Sequence, residues 1–154
     1  MPLLDLIVEF ATTGRLGPLS AGMPADQAWA ALGQPPDPAG DGNYRIDSLD
    51  FAVRDGAVYV LGLEHEGDLT FRLPAALGGH RSDHGPVSHD EVVAALAARG
   101  CRTEPVLTVP DWSTVLRAGK VHLSFVRPTG SESASDQLLL SNVGRSAAWQ
   151  GDAP

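Results

Sequence analysis

Four of the five histidines fall between positions 65 and 89: His65, His80, His84 and His89, with Glu64 and Asp83 beside them in sequence. Imidazoles and carboxylates are the ligands of zinc and similar metals. A helical metal motif sets two histidines four apart on one face. His80 and His84 have that spacing, but Gly78-Gly79 and Gly85-Pro86 fence them off from any helix. They read as surface loop histidines, and no metal or other cofactor is expected. Nucleophilic catalysis has no better footing. There is no Gly-x-Ser-x-Gly elbow, and Ser131, Ser133 and Ser135 sit in a polar run. Cys101 stands between Arg99-Gly100 and Arg102, a setting that mildly favours a thiolate, yet a lone cysteine after a helix end reads as structural. Asp47/Asp50 and Glu64/Glu66 have the spacing of an acid–base pair, but such spacing is common on solvated strands. Gly14-x-x-Gly17 lacks the lysine and the strand–loop–helix setting of a phosphate loop. These residues argue against an enzyme.

Charge and aromatic surface remain. Eleven Lys and Arg face nineteen Asp and Glu, a net charge of −8. Asp41, Asp47, Asp50, Asp55, Glu64, Glu66 and Asp68 crowd residues 41–68, against only Arg45 and Arg54. A chain this acidic is repelled by phosphate backbones and anionic membranes. It suits a basic protein partner, because a local negative field speeds and orients encounter with a cationic surface. Trp29 reads as core, whereas Trp112 after Pro110-Asp111, and Trp149 in the polar tail, suit interface anchors. The candidate partner-binding residues are Asp47, Asp50, Tyr59, Glu64, Glu66 and Trp112.

The elements that must position them are legible in outline. Residues 3–12 read as an amphipathic helix ended by Gly14 and Gly17-Pro18. A second helix is expected over 24–32, with Pro24 at its first position and Gly33 ending it. Residues 49–54 alternate, Asp55-Gly56 is a preferred two-residue turn, and residues 57–65 return. That turn predicts Val53 opposite Val58 and Phe51 opposite Val60 on the buried face. Tyr59, Leu61 and Leu63 then lie on the other face and need a cover: the N-terminal helix, the second half of the chain, or a partner. A third strand is expected over 68–73, then a Gly/His-rich loop over 74–86. Ser88 and Glu91 form a capping-box pattern opening a helix that Gly100 ends. Strands are expected over 106–109, 114–117, 121–127 and 137–143, with a polar loop between the last two.

Residues 23–33 and 87–97 share Asp26/Asp90, Ala30/Ala94, Ala31/Ala95 and Leu32/Leu96. This faint echo suggests a pseudo-repeat of residues 15–73 and 86–145. The fold class expected is α+β: an antiparallel sheet with helices packed on one side, in two helix-plus-strands halves. One domain over residues 1–150 fits a chain of 154, with residues 151–154 a frayed tail.

The motif Thr13-Gly14-x-Leu16-Gly17-Pro18-Leu19-x-x-Gly22-Met23, followed after a helix by Leu32-Gly33-x-Pro35-x-Asp37, resembles a family of small uncharacterised bacterial proteins. The likeness covers roughly residues 10–66 and continues into a strand and a Gly-turn hairpin over 44–65. Pro24 departs from it, standing where the pattern offers a Ser or Thr cap. The resemblance implies an immunity or partner-binding role in toxin systems. Helix plus hairpin is also similar, at the level of fold, to the β-lactamase inhibitory protein.

The expected function is a protein–protein binding module, most specifically an immunity protein that neutralises a basic toxin domain by steric and electrostatic occlusion. Two alternatives stand beside it: a small-molecule or metal-binding domain, or even an enzyme, using residues 65–89, and a structural subunit of a larger assembly. Asp5 and Glu9 occupy the segment where a secretory leader carries Lys or Arg. Cys101 is the only cysteine, and no apolar run nears the roughly 18–20 residues of a membrane span. A cytoplasmic location is expected.

Overall fold

The computed structural model describes residues 2–33, 36–38, 40–128 and 137–146. Trp149, the serines at 131, 133 and 135 and the tail over 151–154 lie outside the described residues. Leu3, Leu6, Ile7, Phe10 and Ala11 recur at helical spacing, and all five are buried in α1 (Leu3–Thr13). Gly14 ends this helix in the left-handed conformation, its N–H donating to the Phe10 carbonyl at 2.8 Å. Two short strands, β1 (Arg15–Leu16) and β2 (Leu19–Ser20), fold back around Gly17-Pro18. The next helix is α2 (Ala25–Leu32), with Pro24 as its extended N-cap instead of its first helical residue.

The principal sheet begins with β3 (Asp37–Pro38), β4 (Asn43–Ile46), β5 (Leu49–Arg54) and β6 (Ala57–Glu64). Residues 67–69 make a 3-10 turn, so only β7 (Phe71–Leu73) of the expected third strand is extended. It pairs with β8 (Ser82–His84), drawn from the expected loop, in a separate two-stranded sheet. The capping box then opens α3 (His89–Ala98): the Ser88 hydroxyl accepts from the Glu91 N–H at 3.1 Å, and Glu91 accepts from the Ser88 N–H at 2.9 Å. Four strands follow: β9 (Thr103–Val109), β10 (Ser113–Ala118), β11 (Val121–Val126) and β12 (Leu139–Ser146).

Strands β3 to β6 and β9 to β12 form one antiparallel sheet of eight strands in the order β3-β4-β5-β6-β12-β11-β10-β9. The chain is α+β, with the helices on one side of that sheet. Each half of the sheet is a four-stranded meander preceded by a helix, and the two meanders join where β6 pairs with β12. Alternation sets the two faces apart. Thr114, Leu116 and Ala118 of β10, and Val121, Leu123 and Phe125 of β11, are buried under the helices. Val115, Ser124 and Asn142 point the other way and are not buried. Among the described residues no helix is long and apolar enough to cross a membrane.

The β5–β6 hairpin turns at Asp55 and Gly56, with φ of 52° and 77°, as a two-residue hairpin requires. Its register differs from the sequence expectation. Val53 faces Val58, but the register shifts past Ala52, so that Phe51 faces Leu61 and Leu49 faces Leu63. One extra residue near Tyr59 makes this bulge. Leu61 and Leu63 therefore join the buried face, and Val60 goes to the open one at 38% exposure. The doubly apolar strand is a bulged strand with one buried face. No partner is needed to cover those leucines.

Candidate functional site

Four of the six candidate residues gather on one part of the sheet. The β4–β5 turn carries Asp47, β5 carries Asp50, and the end of β6 carries Glu64 and, two residues on, Glu66. Arg45 of β4 is their hub. Its Nε donates to the Asp47 carbonyl at 2.9 Å, and its two terminal nitrogens lie 3.5 Å from Glu64 and 3.4 Å from Glu66. Arg81 reaches from before β8 to bind the Asp47 carboxylate at 2.9 Å. Four carboxylates against two guanidinium groups leave about two net negative charges here. The acidic field is real but partly answered from within.

Asp50 lies beside Glu64 on this face. Its own burial, and then the hydrogen bond and negative charge of Glu64, hold its carboxyl above the usual carboxylate range, against the pull of Arg45. A depression of about 270 Å3 adjoins the pair, with Val60, Gly62, Asn142 and Gly144 among its walls. Gly62 is required by close approach: a Cβ there would run into the Val143 carbonyl across the β6–β12 pairing.

Tyr59 and Trp112 stand apart from this group. Tyr59 lies toward the start of β6, half-buried, with the Arg54 guanidinium 4.2 Å from its ring centroid. Its face is already occupied by a cation of the same chain. Trp112 is in the β9–β10 turn, 64% exposed, its N–H donating to Val109 and its carbonyl accepting from Arg127. Trp29 packs edge-on against Tyr44 and Phe51 at 4.9 and 5.7 Å, a half-buried part of the core.

Beside Trp112 lies a feature that sequence reasoning missed. Strand β9 is one edge of the sheet, and Val106, Leu107 and Val109 are 55%, 59% and 42% exposed. Leu107 pairs with Val115 and Val109 with Ser113, which places both on the open face. Pro105 was the available signal, since a proline inside a strand confines it to an edge. An exposed apolar edge is ordinarily blunted, because it pairs readily with other chains.

The histidines do not converge. The His65 ring meets the Glu66 carbonyl, His84 bonds Ser82 at 2.9 Å, and His89 bonds Asp90 at 3.0 Å while lying edge-on to Phe125. Among the described residues no three of His, Cys, Asp and Glu are placed to share a metal ion. Cys101 is half-buried, and that burial pushes its thiol up, away from the thiolate. No protein-family model, curated protein or solved structure matches this chain.

Proposed function

We propose that the chain is a protein-binding module whose partner presents a cationic surface, in its most specific form an immunity protein that occludes a basic toxin domain. The observation that supports this most is the open face of the sheet. It runs from a surplus of carboxylates around Arg45 to an apolar free edge at Leu107, Val109 and Trp112. Exposed tryptophan and neighbouring apolar side chains are the usual source of binding energy at an interface, while charge sets encounter rate and orientation. The anchor assigned here is Trp112 with Leu107 and Val109. Tyr59 is not assigned that role, because Arg54 covers it.

The test is co-purification from the native cell with wild-type protein, a Trp112→Ser variant and the combined amide variant at Asp47, Asp50, Glu64 and Glu66. A stoichiometric cationic protein should follow the wild type. It should bind at least tenfold more weakly to either variant. An acidic partner, or one retained equally by all three proteins, overturns the reading.

The free edge of β9 favours a second reading, in which two copies pair edge to edge as parts of a larger assembly. Sedimentation of a monomer at micromolar concentration that is unchanged by Leu107→Arg removes it.

A further inference from the structure

Asp47 and Ser48 make the turn between β4 and β5. Asp47 takes φ of 53° there, a left-handed conformation that aspartate tolerates better than most residues. Its backbone is held from within the sheet, where its carbonyl accepts from the Arg45 Nε at 2.9 Å. Its carboxylate is taken from outside the sheet. The Arg81 guanidinium donates to it at 2.9 Å, and the Asp47 side chain is left 17% exposed while that of Arg81 is 61% exposed.

The fold brings Arg81 there through the neighbouring turn residue. Ser48 is fully buried, donates its N–H to the Arg72 carbonyl and accepts the Arg72 N–H on its hydroxyl, both at 2.8 Å. These two bonds fix β7 against the β4–β5 turn, and β7 pairs with β8, which Arg81 directly precedes. The approach to Arg81 is looser. Gly79 takes φ of 85°, a Cβ there would meet nothing, and His80 and Arg81 are both exposed. An ion pair with so exposed a cation is worth little, so a second cation competes for the carboxylate.

We propose that Arg81 is an internal competitor for the cationic partner: its guanidinium masks the Asp47 carboxylate, and the partner's own guanidinium or ammonium group displaces it on binding. This deepens the partner reading above and rests on it. Arg45 has a different part. It ties Glu64, Glu66 and the Asp47 carbonyl together from inside the face and holds that face in shape. Arg81 neutralises Asp47 until a better cationic surface arrives, which disfavours weak cationic contacts and so sharpens partner choice.

A labelled hexa-arginine peptide, read by fluorescence anisotropy at about 100 mM salt, where charges act over roughly 10 Å, serves as the cationic probe. Arg81→Gln should bind it about threefold more tightly than wild type, the equivalent of one exposed ion pair that no longer has to be broken. In an Asp47→Asn background the same substitution should change binding by less than about 1.5-fold, because no carboxylate is left to unmask. Asparagine keeps the left-handed turn, so that background folds. Unchanged or weaker binding by Arg81→Gln overturns the proposal. So does an equal gain in the Asp47→Asn background, which would mark an effect of net charge alone. The combined amide variant at Asp47, Asp50, Glu64 and Glu66 separates the two failures. If it binds the peptide as wild type does, the reading of the acidic face falls and the role of Arg81 with it. If it loses the peptide while Arg81→Gln gains nothing, only the role of Arg81 falls.

Discussion

Single side chains in this protein carry separable costs. Asp50 is an acid whose folded-state pKa is raised by burial and by Glu64. Its protonated form is therefore the one the fold prefers. The stability it contributes is complete below its unfolded pKa, near the ordinary aspartate value of 3.8, and is lost as pH rises through the higher folded value. Asp50→Asn should make urea stability less dependent on pH across that window and raise it at pH 7. A variant no more stable than wild type at pH 7 contradicts the assignment. Ser88 is a different case, since its hydroxyl satisfies an otherwise orphaned N–H at the start of α3. Ser88→Ala should cost about 1 kcal/mol in the same measurement. At Gly62 the constraint is steric: Gly62→Ala should cost about 1–3 kcal/mol, because the new Cβ meets backbone and not a yielding side chain.

Elements show where sequence reading succeeds. Helix α1 was legible because its apolar spacing and its glycine stop agree, and α3 because Ser88 and Glu91 spell a cap. The Asp55-Gly56 turn was equally plain, since few residue pairs tolerate two positive φ angles. The bulge near Tyr59 was not legible. Alternation fixes the face of each residue only until one extra residue is inserted, and nothing in a run of Val, Tyr, Val and Leu marks the place. The end of β9 was half legible: Pro105 signals an edge, but the exposure of Leu107 and Val109 follows from their place on the open face, which the pairing with β10 decides. That exposure yields a prediction belonging to the hairpin as a unit. Trp112→Ser and Leu107→Arg should each change unfolding free energy by no more than about 0.5 kcal/mol, as at exposed sites away from the core. Both should remove partner binding. Substantial unfolding of either variant would make the β9–β10 edge structural and withdraw it as an anchor.

Across the whole molecule, charge is sorted in space in a way that a single net value conceals. The carboxylates around Arg45 come from β4, β5 and β6, which are neighbours in sequence, so their crowding was visible over residues 41–68. The basic residues Arg99, Arg102, Arg117, Lys120 and Arg145 line one cleft that draws on the end of α3, on β10, on a turn and on β12, and only folding brings these together. The two regions are close but face apart. Glu64 pairs with Asn142 on the open face, and Arg145 is three residues further along β12, about 10 Å away at the rise of a strand, on the helix side. Their coupling should therefore be electrostatic and short-ranged. At 150 mM salt the screening length is about 8 Å, so the carboxylates around Arg45 act on a cationic partner only at close range. At 10 mM salt the screening length grows to about 30 Å, and the combined amide variant at Asp47, Asp50, Glu64 and Glu66 should lose more partner affinity relative to wild type than it loses at 150 mM, because four negative charges have gone. The difference is the informative part. An equal loss at both salt concentrations would mean that these carboxylates act through close contacts and not through their field, and the electrostatic part of the proposed function would fall.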